Sequence, residues 1–354
     1  DTFFTNGYTT RARLKQYGDS LASKKQNTIY ANVKDYGAVG DGVTDDRTAF
    51  VNAFASGLPV FVPIGKFYIS ATLTLTKYQT IKGVGDSSII FLSTGDYPAF
   101  TVEGNNVKIS NLTVRGQGRG TSTNYATTRP NQHGVYVYGE AAGPLARSEI
   151  SINECLFDSL GGAGVKILEN RKVLTNSNVS VTNCIAINCW AGFLTGNRAE
   201  YNTFVNNSAS ECQYGVWNQG GNNSFVGGQL NYNMINFYLK RGDNDAHNTA
   251  TNVTMNHAMD YGIVVDSITF GWVFDGCNIW VSNILVLYSD GVHFSDCQFG
   301  DVSSILFAGS TNSSFGNSRW QTTPSFVLNY LGDSSDVKFF GNIWEATPAA
   351  NIYN

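Results

Sequence analysis

Acidic residues are sparse in this chain, 27 Asp and Glu among 354 residues. Those that recur beside aromatic residues therefore raise the chemical question first. Asp158 is followed by Asn188 and Trp190, then Glu211 with Gln213 and Tyr214, then Tyr232, then Asp260 with Tyr261, and then Trp280. Two carboxyl groups on one substrate can split the work of acid and base, one protonating a leaving oxygen while the other activates water or attacks. Aromatic faces beside them suit a sugar, whose C–H faces lie on rings while its hydroxyls bond to Asn, Gln and carboxylates. Glu211, with Asp158 and Asp260 as partners, is the catalytic candidate. Asn188, Trp190, Tyr214, Trp217 and Tyr232 are the candidate binding residues, with Arg198 as a nearby cation.

Residues so far apart in sequence need a scaffold that stacks them. From about Glu149 onward the chain repeats a short alternating strand, an Asn/Asp/Gly corner, a second short strand, another corner and a third strand. Cys155, Cys184, Ser208, Gln229, Val253, Cys277, Cys297 and Ser318 fall at intervals of 20 to 29 residues. Such a period holds three short strands and no helix, which is one coil of a parallel β-helix. Successive coils rise about 4.8 Å, so carboxylates one or two coils apart span the retaining and inverting glycosidase geometries.

Composition agrees with a turn-dense all-β chain: 37 Gly, 14% charged and 13% aromatic residues. A net charge of −4 argues against nucleic acid as partner. No apolar run reaches the length of a membrane span. The six Cys have no Cys-x-x-Cys pair and only four scattered His beside them, so they read as buried free thiols, and neither a metal site nor a cofactor is expected.

Residues 1–29 are polar and read as a neck or linker, and the absence of an initiator Met suggests a processed form or a fragment. Residues 30–354 read as one β-helix domain, with an opening and cap over 30–92 and regular coils over about 93–345. Thr44 is placed as an N-cap, with Asp45 and Asp46 in the first turn of a short helix whose Ala49, Phe50, Ala53 and Phe54 cover the open end of the coil stack. Two polar segments compete as sites: Arg115 to His133, with Arg115, Arg119 and Arg129, and Lys240 to His247, with Asp243 and Asp245.

The run Val33-Lys-Asp-Tyr-Gly-Ala-Val-Gly-Asp-Gly-Val-Thr-Asp-Asp-Arg-Thr-Ala-Phe50, followed by Val60-Phe-Val-Pro-Ile-Gly-Lys-Phe-Tyr-Ile69, resembles the opening motif of the pectate-lyase-like β-helix superfamily. Within it, the chain is most similar to bacteriophage tailspike depolymerases. The motif covers residues 30–92 and carries no catalytic residue. The resemblance implies an all-β, right-handed parallel β-helix with a short N-terminal capping helix, assembled as a homotrimer. It also implies attachment to a virion tail through the N-terminal part, and endo-cleavage of a bacterial capsule or O-antigen polysaccharide. Hydrolysis by paired carboxylates is the first expectation. A lyase acting on an acidic glycan, with a Tyr, His or Lys base and Arg198 or Arg241 as cation, is the alternative, and so is a non-catalytic glycan-binding adhesin.

One column supports assembly from the residues alone. Aligning the third strands places Leu194, Trp217, Tyr238, Val264, Leu285, Leu306 and Val327 outward, between inward columns headed by Phe193 and Thr195. A stacked apolar ladder on an outer face calls for a cover, and other copies of the chain would supply it.

Overall fold

Short runs of alternating apolar residues form strands of two to seven residues in the computed structural model, which describes residues 30–117, 129–139, 149–169, 178–269, 271–321 and 336–345. Nearly every strand pairs in parallel with the strands one coil away. Three sheets result, of 13, 13 and 10 strands, wrapped around one apolar interior. The chain is an all-β parallel β-helix with little helix.

Each corner needs a sharp reversal of direction, and a left-handed residue provides it. Between the first and second sheets these residues are Asn111, Glu154, Asn183, Asn206, Gly227, Asn252, Gly276, Asp296 and Asn317, with φ from 50° to 63°. Asn, Asp and Gly adopt this conformation at low cost. Inside, aromatic rings stack from coil to coil: Phe274 and Phe294 lie 4.9 Å apart, and Phe294 and Phe315 4.7 Å apart with planes 2° apart. Buried Asn residues form a second ladder, in which Asn223 Oδ1 accepts from Asn202 N and Asn248 Oδ1 accepts from Asn223 N.

The opening helix spans Arg47–Ala55 and buries Ala49, Phe50, Ala53 and Phe54. Its start differs from the sequence expectation. Thr44 and Asp45 belong to a strand, and Asp46 is the N-cap residue. Asp46 instead accepts from the Val39 and Gly40 amides. Asp45 accepts from Arg47 N and from Ser70 N and Oγ. These acids fasten the opening loop to the first coil, a tie across distant residues that local capping rules do not contain.

The stacking column also needs a correction. Cys155, Cys184, Val253, Cys277, Cys297 and Ser318 hold it, but Asn207 and Gly228 stand where Ser208 and Gln229 were expected. Ser208 pairs with Ile185 and Gln229 with Ser208, one position later. Asn207 fits there by donating to Val181 O and accepting from Cys184 N, contacts that a composition match cannot see. All six Cys are free and buried.

The third sheet has the expected parity. Phe193, Val216, Phe237, Ile263, Ile284 and Ile305 pair in register and point inward, and Leu194, Trp217, Tyr238, Val264, Leu285 and Leu306 form the outer column. Tyr136 and Lys166 extend that column upward. Val327, residues 1–29 and Arg119 lie outside the described residues. Among the described residues, no helix is long and apolar enough to cross a membrane, and no group of three His, Cys, Asp or Glu is placed to hold a metal.

Candidate functional site

The corner between the second and third sheets departs from the first corner in its residue types. Its left-handed positions are Ser159, Asn188, Glu211, Tyr232, His257, Val281 and Asp301, with φ from 44° to 57°. Only Asn188 and Asp301 are easy occupants. A Glu, a Tyr, a His and a β-branched Val held there store strain of roughly 1 kcal/mol or more each. The other corner, built by the same coils, uses Asn and Gly. Strained side chains gathered on one outer edge point to a use other than folding.

Register fixes the neighbours. Ile187 pairs with Ser210, and Ser210 with Asn231, so Glu211 follows one coil after Asn188 and one before Tyr232. Asn188 Nδ2 donates to Ser159 Oγ. The rings of Tyr232 and His257 stack, with centroids 5.1 Å apart. Both Glu211 and Asp260 are exposed.

Just beyond the corner, aromatic side chains cover the upper outer face of the third sheet. Trp190 meets Tyr214 at 5.3 Å and Trp217 at 5.2 Å, and Tyr238 meets Tyr214 at 5.3 Å and Trp217 at 5.0 Å. Leu194, Ala163 and Ala191 form the floor of this cluster. The Trp217 indole N–H is buried without a hydrogen-bond acceptor, and the Tyr238 ring stands at 90° to the indole. Burial raises the Tyr214 phenol's pKa, and burial with Asp266 pushes that of Tyr238 up to about 12. Both hydroxyls therefore stay protonated and can donate.

The three expected acids do not form one cluster. Asp158 ends a second-sheet strand, and its pairing runs through Ile187 to Ser210. It therefore stands two coils from Glu211, about 10 Å along the axis. Its oxygens are engaged, Oδ2 by Arg115 Nε at 2.7 Å and Oδ1 by Ser159 Oγ. Asp260 lies two coils to the other side, again about 10 Å along the axis. Asp158 and Asp260 are thus about 19 Å apart and cannot act together. Glu211 and Asp260 remain as a pair with free faces, near the wide separation that leaves room for a water.

Arg198 is not brought to this corner. It follows the third-sheet strand Ala191–Thr195, at the end away from Trp190, and pairs with Asp243 at 2.6 Å. The Lys240 to His247 segment is likewise structural in part, because buried Asp245 accepts from Thr269 Oγ1. In the Arg115 to His133 segment, Arg129 donates to Thr94 O and Gln117 O. Tyr238 and His257 were not among the expected site residues. The one-coil steps from Trp217 to Tyr238 and from Tyr232 to His257 were the available signal.

The family model for rhamnogalacturonase A/epimerase, pectate lyase-like, matches residues 30–124. The pre-neck appendage protein of Bacillus phage B103 is 27% identical over 246 residues, covering 57% of this chain and 27% of that protein. The chain thus spans about a quarter of that relative's length. Among solved structures, the A-module of Azotobacter vinelandii mannuronan C-5 epimerase AlgE4 has a TM-score of 0.66 at 19% identity, over 90% of this chain and 98% of that one. The enzymatically active domain of bacteriophage CBA120 tailspike protein 2 has a TM-score of 0.63 at 14% identity, over 90% and 52%. With its coil register and its opening motif, the chain belongs with the pectate-lyase-like parallel β-helix proteins of phage tailspikes and appendages.

Proposed function

We propose that this chain is the polysaccharide-acting part of a phage tail appendage. It binds a bacterial capsule or O-antigen glycan along the corner and upper face of the third sheet, and cuts it endo-wise by hydrolysis. Glu211 is the principal catalytic carboxyl group, with Asp260 as partner. Trp190, Tyr214, Trp217 and Tyr232 offer faces to sugar rings, and Asn188 orients a hydroxyl. The observation that carries this reading is the strained corner, where Glu211, Tyr232 and His257 occupy positions that folding alone would give to Asn or Gly.

The outer face divides by residue type. Its upper part is aromatic, and its lower part is the aliphatic column Val264, Leu285 and Leu306. The lower part is the contact between copies in a parallel homotrimer, and the N-terminal part joins the virion. The named activities of the similar proteins, a tailspike and a polysaccharide epimerase, agree with a glycan as ligand.

Elimination on an acidic glycan is the second reading, supported by a basic group, Lys166, on the same face. Incubation with a panel of bacterial surface polysaccharides separates the outcomes. New reducing ends without ultraviolet absorption support hydrolysis, unsaturated ends support elimination, and binding without cleavage would make the chain an adhesin.

A further inference from the structure

The top of the outer column holds a buried imidazole against an amine. His133 is 3% exposed. Its loop is fixed by Gln132, whose side chain donates to Ser93 O and Gly95 O and accepts from Gln117 N. Gly162 makes room for the ring, since a Cβ there would collide with Nδ1. Nδ1 accepts the Ala163 amide at 2.8 Å, and Nε2 lies 3.2 Å from Lys166 Nζ.

These two contacts settle where the protons are. A neutral imidazole carries one N–H. Nδ1 faces a backbone donor, so the proton must be on Nε2. An Nε2–H can bond to Nζ only if the amine has a lone pair, which an ammonium lacks. A charged Lys166 would place donor against donor. Burial lowers the Lys166 pKa in the same direction. Burial first, and Lys166 second, push the His133 pKa down to about 3. The other groups facing the amine are uncharged. Tyr136 stands beside Lys166 in register, with Nζ 5.0 Å from its ring centre, and Leu194 is on the other side. Tyr138 packs on Tyr136, and the Tyr136 phenol's pKa is raised by burial and by Tyr138.

We propose that Lys166 is a free amine held by His133, and that it is the catalytic base for elimination on a uronate-containing polysaccharide lying on Tyr136 and the aromatic face below. This rests on the elimination reading. The amine takes the C5 proton, acidified by the adjacent carboxylate group. The C4–C5 double bond forms as the C4–O glycosidic bond breaks, and the leaving oxygen takes a proton from the ammonium just formed. No oxidant, metal or water is consumed. His133 is a positioning residue.

Two measurements test this. The first is trace acetylation of the whole chain with acetic anhydride across pH, read by mass spectrometry. The midpoint of reactivity for Lys166 is expected at lower pH than for exposed Lys34, Lys82 and Lys108. A midpoint shared with those lysines overturns the proposal, whatever the activity. The second is ultraviolet absorption of unsaturated ends from polygalacturonate, polymannuronate and polyglucuronate, with wild type and Lys166→Met. A loss of about 10²-fold or more in Lys166→Met supports the base assignment. Unchanged elimination in Lys166→Met overturns that assignment and leaves elimination standing with another base. A low midpoint with no unsaturated product from any polymer sinks the elimination reading, and the proposal with it.

Discussion

The ring of Tyr232 lies nearly flat on that of His257, with centroids 5.1 Å and planes 21° apart, and both residues are left-handed, at φ 54° and 44°. The stack extends the corner beyond Glu211 and leaves Tyr232 exposed. If a sugar packs against it, Tyr232→Ala weakens binding by about 1 kcal/mol, roughly fivefold in Kd. Isothermal titration with the cleaved glycan measures this. An unchanged Kd removes Tyr232 from the binding surface.

Glu211 permits two opposed substitutions. Glu211→Gln keeps shape and strain but removes the titrating group. Turnover should fall by about 10²-fold or more while binding survives. Glu211→Gly relieves the left-handed backbone and should raise stability by up to about 1 kcal/mol, since Gly adopts φ 55° without Cβ strain. Denaturant unfolding checks the second and steady-state kinetics the first. If Glu211→Gln and Asp260→Asn both retain full activity, this corner is not the site.

Much of this frame was legible because β-helix coils are built from local rules. The inward Phe193–Val216–Phe237 column and its outward neighbours follow from alternation alone, and the register agrees with them. The Cys column slipped at Asn207 and Gly228 because a side-chain amide bonding to Val181 O can replace a small thiol. Site assembly was less visible. Chain order brought Asn188, Glu211 and Tyr232 together, but not the tie of Asp158 to Arg115, 43 residues away, or of Arg198 to Asp243. His133 looked like a chance match until Gly162 and Lys166 stood around its ring. Such pairings depend on how much chain each coil inserts at its corners, which periodicity does not specify.

Assembly is tested on the aliphatic half of the outer column. Leu285 and Leu306 stand side by side in register and half-buried in the single chain. Replacing both by Asp would bury unpaired charge at a contact between copies. Sedimentation should then report monomers or misfolded material where the wild type sediments as a trimer. A stable wild-type monomer would remove the assembly reading, and the column would need another cover.

Acid should weaken the fold through His133. Its folded pKa is depressed to about 3 from an ordinary 6.5. Between those values the unfolded chain binds the proton and the folded chain does not. The stabilisation is therefore complete above pH 6.5 and is lost as pH falls toward 3, by about 1.4 kcal/mol for each pH unit. Protonation would put an Nδ1–H against the Ala163 amide, so the ring would have to leave its place beside Gly162. Thermal unfolding followed from pH 7.5 to pH 4 should show Tm falling across this window, with a shallower fall in His133→Gln. Carboxylates titrating at the bottom of the window contribute to both proteins, so the difference between the two curves isolates the histidine. Parallel curves would mean that His133 gains its proton without leaving its site.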